Sequence, residues 1–140
     1  MRYYLAHPYD SRKKVREWEL GVEKRTGVEL HNPFYDVDRK DIQDLDAGGV
    51  GRYDQLDPDT LVVRDLGAIR DSDGMVAIVD GALSYGTIME IVYGHMSCEP
   101  CFLIVTNGHE KHPWLVYHSD KIFTSFEAFE TFIKKEMQEV

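Results

Sequence analysis

Met75-Val76-Ala77-Ile78-Val79 is a short, unbroken apolar run bounded by Gly74 and Asp80, and it limits the possible folds more than any other stretch. A strand with water on one side alternates apolar and polar residues. This run does not alternate, so it must be covered on both faces, as central strands of parallel sheets are. Phe102–Thr106 repeats the requirement, and between the two runs Gly86-Thr87 opens a helix reaching to about Ser97. Strands alternating with helices imply a mostly parallel sheet with helices on both sides.

The rest of the chain fits that pattern. Tyr3–Ala6 reads as the first strand and runs into His7-Pro8-Tyr9-Asp10. Ser11 can cap a helix from about Arg12 to Arg25, with Val15, Trp18, Leu20 and Val22 as apolar positions, and Thr26-Gly27 stops it. Val28–His31 is a second strand, ended by Asn32-Pro33. Leu61–Arg70 reads as a helix, Trp114–Tyr117 and Lys121–Phe123 as short extended pieces, and the latter as an edge strand. Phe126–Met137 is an amphipathic closing helix, with Phe126, Phe129, Phe132, Ile133 and Met137 near helical spacing. The expectation is one α/β domain over residues 1–140, a Rossmann/flavodoxin-like three-layer sandwich with a mostly parallel sheet of about five strands.

From Phe34 to Thr60 the chain is polar and rich in Asp, with Gly48-Gly49-Val50-Gly51 in its middle. A connection this long in a compact domain is usually functional. Cys98-Glu99-Pro100-Cys101 lacks a second Cys/His pair for structural zinc, and it lies between a helix and a strand rather than opening a helix. Two reduced thiols in a loop are the expectation.

The 140 residues are 43% hydrophobic, enough for one core, and no stretch approaches the roughly 20 apolar residues of a membrane span. The N-terminus passes directly into a strand, so a cytoplasmic protein without a membrane partner is expected. A formal net charge of −9 argues against binding a nucleic-acid polymer, whose phosphates need a basic surface. A mononucleotide needs only a few local donors.

In such a sheet the carboxyl ends of strands one, three and four form a common rim. The first contributes His7, Tyr9, Ser11 and Arg12; the third Asp80, Ser84, Gly86 and Glu90; Asn107 and His109 follow the fourth. The helix starts near Ser11 and Gly86 turn backbone N–H groups toward anions. No Gly-rich phosphate fingerprint of the common types is present. Glu90 has two readings: partner of Thr87 in a capping box, or a carboxylate facing the crevice. Asp73, just ahead of its strand, reads as a turn or capping residue. The pattern does not fix which face Asp65 occupies, and a solvated position is its ordinary reading.

Together these residues resemble the nucleoside 2-deoxyribosyltransferase family, which includes the deoxynucleoside 5′-monophosphate N-hydrolases. Tyr3-Tyr4-Leu5-Ala6-His7-Pro8-Tyr9 resembles its first strand and turn. Asp65-Leu66 followed by Asp73, and Gly86-Thr87-Ile88-Met89-Glu90, resemble its two acidic segments. The likeness covers nearly the whole chain. It implies a Glu90 nucleophile, with Asp65 handling protons at the base or water and Tyr4 holding Glu90. Six residues before the Glu, the transferases carry Asp and the monophosphate hydrolases Ser. Ser84 therefore implies a 5′-monophosphate, with Arg12 adding charge-assisted contacts and Ser119 contributed by the neighbouring subunit of a homodimer. No metal or organic cofactor is implied. His7-Pro8-Tyr9 departs from the family's small-residue turn, and Tyr85 and Thr87 add bulk beside Gly86. The expected function is cleavage of the N-glycosidic bond of a nucleoside 5′-monophosphate. The alternatives are base exchange on free nucleosides and nucleotide binding without turnover. A phosphoribohydrolase ranks lower, because the glycines ahead of Gly86-Thr87-x-x-Glu90 in that segment are missing.

Overall fold

The computed structural model describes residues 1–36, 57–81, 84–97 and 100–139. The centre of the Asp36–Asp59 connection and Cys98 lie outside the described residues. Five parallel strands, β1 (Arg2–Ala6), β2 (Glu29–His31), β3 (Gly74–Val79), β4 (Cys101–Val105) and β5 (Lys121–Phe123), form one sheet in the order β2-β1-β3-β4-β5. The helices are α1 (Arg12–Thr26), α2 (Pro58–Arg70), α3 (Tyr85–Ser97), α4 (Pro113–Tyr117) and α5 (Phe126–Gln138), with a 3-10 turn at Tyr9–Ser11 ahead of α1. Strand order reverses between β1 and β3, so the crevice beyond their carboxyl ends is the topological switch point, where open α/β sheets take ligands. No helix among the described residues is long and apolar enough to cross a membrane.

Because side chains alternate along a strand, each strand supplies both cores. Tyr3, Leu5, Val76, Ile78, Phe102, Ile104 and Phe123 face α1 and α5, where they meet Val15, Val22, Phe129 and Ile133. Tyr4, Ala6, Met75, Ala77, Leu103 and Val105 face the other way, against Ile69 of α2, Ile91 of α3 and Leu115 of α4. The β1–β3 register pairs Tyr4 with Met75 and Ala6 with Ala77. Two glycines set close approaches. A Cβ on Gly74 would lie 2.7 Å from the Pro100 carbonyl oxygen and 2.9 Å from the Tyr3 ring. One on Gly94 would lie 2.6 Å from Met75 Sδ, so α3 rides low on the sheet.

Several expectations need correction. Trp114–Tyr117 is helical, not extended: His112 Nδ1 caps it by accepting from the Trp114 N–H at 3.2 Å, and Pro113 takes the first helical position. Ser11 does not cap α1 through its side chain, because its hydroxyl donates to the Pro8 carbonyl at 3.2 Å. Leu20 is exposed, and the inward position of α1 beside it is filled by Glu19. Asp73 braces the start of β1 on both sides: its N–H donates to the Arg2 carbonyl at 2.8 Å and its carboxylate accepts from the Arg2 N–H at 2.8 Å.

Candidate active site

Helix α3 begins at Tyr85, two residues ahead of Thr87, and this displaces the capping box. The residue ahead of the helix is Ser84; its Oγ lies 3.0 Å from Thr87 Oγ1 and 3.4 Å from the Thr87 N–H. Thr87 is buried in the first turn. Glu90 is then too far along the helix to cap it, and its Oε2 instead accepts a hydrogen bond from the Tyr4 hydroxyl. Gly94 lies one turn beyond Glu90 on the same helix face. By letting α3 settle against Met75, it brings the Glu90 carboxylate within reach of a tyrosine on β1.

Asp65 shares a helical face with Ile69, four residues on and fully buried, so it leans toward the sheet and not into solvent. Its side chain is 19% exposed, and its Oδ1 lies 3.6 Å from Arg64 Nε. Helices α2 and α3 pack side by side over the same sheet face. Tyr4, Asp65 and Glu90 thus reach that layer from three elements.

The rim residues divide by how they are held. His7 is buried with both ring nitrogens engaged, Nδ1 at 3.0 Å from the Pro8 carbonyl and Nε2 at 3.1 Å from Asn32 Oδ1, so it lies behind the rim. Its pKa is pushed down, chiefly by burial. Tyr9 is buried beneath the Arg12 guanidinium, 3.8 Å from ring centroid to Cζ, and Arg12 Nη1 donates to the Tyr9 carbonyl at 3.0 Å. Asp80 accepts from the Thr106 hydroxyl at 2.7 Å and from Lys14 Nζ at 3.1 Å. The hydroxyl, with Lys14 assisting, holds this carboxyl below its usual range. Asn107 bridges the ends of β3 and β4, donating to the Gly81 carbonyl at 3.2 Å and accepting from the His109 N–H at 3.1 Å. Gly86 is exposed, and a Cβ there would meet no described residue within 4 Å. Ser119 donates to the Leu115 carbonyl at 2.9 Å, closing the end of α4.

Among the described residues, no group of three or more His, Cys, Asp or Glu is arranged to hold a metal ion. An open cleft of about 250 Å³ lies at the β2 edge, lined by charges of both signs including Arg2, Arg16 and Asp36, together with His31; none of Tyr4, Asp65 or Glu90 lines it. The sequence reading missed Glu19 and Asn32, both fully buried at the back of the first rim loop. The available signal was Glu19's place in the i, i+4, i+7 stripe with Val15 and Val22.

No protein-family model matches the chain, and no curated protein does. Among solved structures, the 2-deoxyribosyltransferase of Bacillus psychrosaccharolyticus superposes with a TM-score of 0.66 at 19% identity, over 93% of this chain and 90% of that one. The CMP N-glycosidase of Clostridium botulinum gives 0.58 at 17% identity, over 95% and 98%. At this identity the likeness is one of fold. The chain has the three-layer α/β fold found in these two enzymes of the nucleoside 2-deoxyribosyltransferase family.

Proposed function

We propose that this protein cleaves the C1′–N glycosidic bond of a nucleoside or deoxynucleoside 5′-monophosphate, with Glu90 as nucleophile. The observation that carries the reading is the Tyr4–Glu90 hydrogen bond, made between β1 and α3 beside the switch point. A carboxylate paired with a phenol in the layer over the sheet is oriented by it. One oxygen is anchored, and the other attacks C1′ from the side opposite the base. The C1′–N bond breaks as the C1′–O bond to Glu90 forms, and the electron pair leaves with the base. Asp65 in its acid form protonates the departing nitrogen, and as a carboxylate it then takes a proton from the water that displaces Glu90. The products are free base and sugar phosphate. The glycosidase and transferase activities in the names of the two structural neighbours support this class of reaction.

Ser84 and Arg12 favour a phosphorylated substrate: a hydroxyl at the start of α3 and a guanidinium at the start of α1 both suit an anion. The second reading is base exchange on free nucleosides, favoured by the higher TM-score of the transferase neighbour. Chromatographic detection of base release, over ribo- and deoxyribonucleosides with and without 5′-phosphate, separates the two. The monophosphates alone should react, and Glu90→Ala should lose at least about a thousandfold in rate. Activity near wild type in that variant removes Glu90 from the mechanism. Reaction of free nucleosides alone, diverted by added base, moves the assignment to transfer. Binding without release from any substrate leaves a sequestering module.

The helices over the Glu90 face also carry exposed apolar residues: Val62 and Val63 on α2, Tyr85, Met89 and Met96 on α3, Trp114 and Tyr117 on α4. A homodimer through this surface, bringing Ser119 to the partner's site, is part of the proposal. Sedimentation should show a dimer, and a fully active monomer would exclude the shared site.

A further inference from the structure

β2 ends the sheet on one side, so among the described residues no strand pairs with its far edge. Along an extended chain the N–H groups of alternate residues turn to the same side. Val28, Leu30 and Asn32 form such a series, and each donates to a side-chain oxygen. The Val28 N–H donates to Thr26 Oγ1 at 3.2 Å, the Leu30 N–H to Glu23 Oε2 at 2.9 Å and the Asn32 N–H to Asp36 Oδ2 at 2.7 Å. Thr26 and Glu23 come from the end of α1, and Asp36 from the segment after β2.

Asp36 is itself held in place. Arg16 Nη1 donates to its Oδ1 at 3.2 Å, and the Tyr35 and Asp36 N–H groups return to the Asn32 carbonyl at 3.1 and 2.8 Å. That turn takes the acceptor of residue 32 as well as its donor. The open cleft at this edge, which the proposed reaction does not use, is lined by the same Glu23, Leu30 and Asp36.

A bare edge strand is a template for another strand. The strand that fits β2 is β2 of a second copy of this chain. A residue's N–H and C=O point to the same side of a strand, so a two-fold axis at Leu30 would bring each Leu30 N–H to the partner's Leu30 carbonyl. The same axis sets Glu29 opposite the partner's His31 as a close, non-hydrogen-bonded pair, where an imidazole N–H can donate to a carboxylate. The strand is self-complementary, and side chains stand where the partner's backbone would pair.

We propose that the outer edge of β2 is a closed docking edge for a second copy of this chain: Thr26, Glu23 and Asp36 hold its three donors and keep two copies from joining their sheets about Leu30. The two carboxylates act twice. They occupy the N–H groups, and pairing would also crowd both copies' Glu23 and Asp36 together away from water. The inference does not depend on the reaction assigned to Glu90.

Amide hydrogen exchange and sedimentation velocity test it. In wild type the Leu30 and Asn32 N–H groups should be protected although they lie on an edge. Glu23→Ala should speed exchange at Leu30 about tenfold or more, as for a lost bond to a carboxylate; Glu23→Gln keeps an acceptor oxygen and should leave it near wild type. Glu23→Ala with Asp36→Ala should form, as concentration rises, a species of twice the wild-type mass. Adding His31→Glu sets carboxylates opposite one another and should return the wild-type mass. Unprotected Leu30 and Asn32 amides in wild type overturn the proposal. So does a folded double variant that keeps the wild-type mass, or an association that survives His31→Glu and so belongs to another surface. Where the double variant does not fold, the exchange arm and sedimentation of the two single alanine variants decide by the same criteria.

Discussion

The two faces of the sheet are made from alternate residues of the same strands, but they are filled differently. Toward α1 and α5, Phe102, Phe123, Phe129 and Phe132 interlock with centroids 5.1 to 6.5 Å apart, and Trp18 packs on Phe126 at 5.0 Å. Toward α2 and α3, the strands present Ala6 and Ala77, α3 presents Gly94, and the polar pair Tyr4–Glu90 sits among them. The outer surfaces differ too: of the exposed large apolar side chains on described helices, only Leu20 belongs to α1 or α5. One face stabilises the fold through rings. The other gives up packing for close approach of backbone and for a buried polar pair.

That contrast can be broken in either direction. Phe129→Ala should cost the most stability, about 3–5 kcal/mol, because it opens a cavity among rings; urea denaturation measures it. Activity per folded molecule should be unchanged, and a comparable loss of kcat would mean the two faces are not separable. Tyr4→Phe should do the opposite. It keeps the ring but removes a hydrogen bond to a carboxylate, so kcat should fall by roughly 10- to 150-fold, about 1.5–3 kcal/mol, with a smaller change in stability. An unchanged kcat would remove Tyr4 from the site.

Glu19 gives a pH test. Its folded pKa of about 7 stands above its ordinary 4.5, so the native state binds more protons between those values, and stability falls as pH rises through that window. The effect is roughly 1–3 kcal/mol. Glu19→Gln should flatten the slope, and denaturation midpoints at pH 5 and pH 8 report it. Smallest in stability is Gly86→Ala, expected to gain about 0.5–1 kcal/mol from helix propensity. If substrate passes over the start of α3, the same methyl raises KM. A variant both more stable and fully active would place the substrate elsewhere.

The ring-filled face was the more legible in the sequence. Continuous apolar strands and the Phe spacing of α5 report burial directly, and all five strands lie where the runs predict them, within a residue at each end. The Glu90 face was legible only in part. Asp65 could be turned inward by no local pattern, since its direction depends on the packing of α2 over α3. Thr87 looked like a cap because Ser84 stands outside the Gly-Thr pair. The α4 segment Trp114–Tyr117 has strand-like residue types, and the turn chemistry of His112-Pro113 overrode them. Glu19 was missed because a carboxylate in a core stripe contradicts the pattern that identifies the stripe.

The tandem tyrosines at the start of β1 bear on how the chain finds its register. Tyr4 and Glu90 are separated by 86 residues, so their bond closes a long loop and depends on the register in which β1 pairs with β3. A slip of one residue in that pairing would turn Tyr3, not Tyr4, toward Glu90, and a phenol would still stand opposite the carboxylate. Gly74 opposes the slip. In the native pairing it lies directly beside Tyr3, with the ring filling the space a side chain would take. The missing Cβ acts as a notch, and it lets the chain tell one tyrosine from the next.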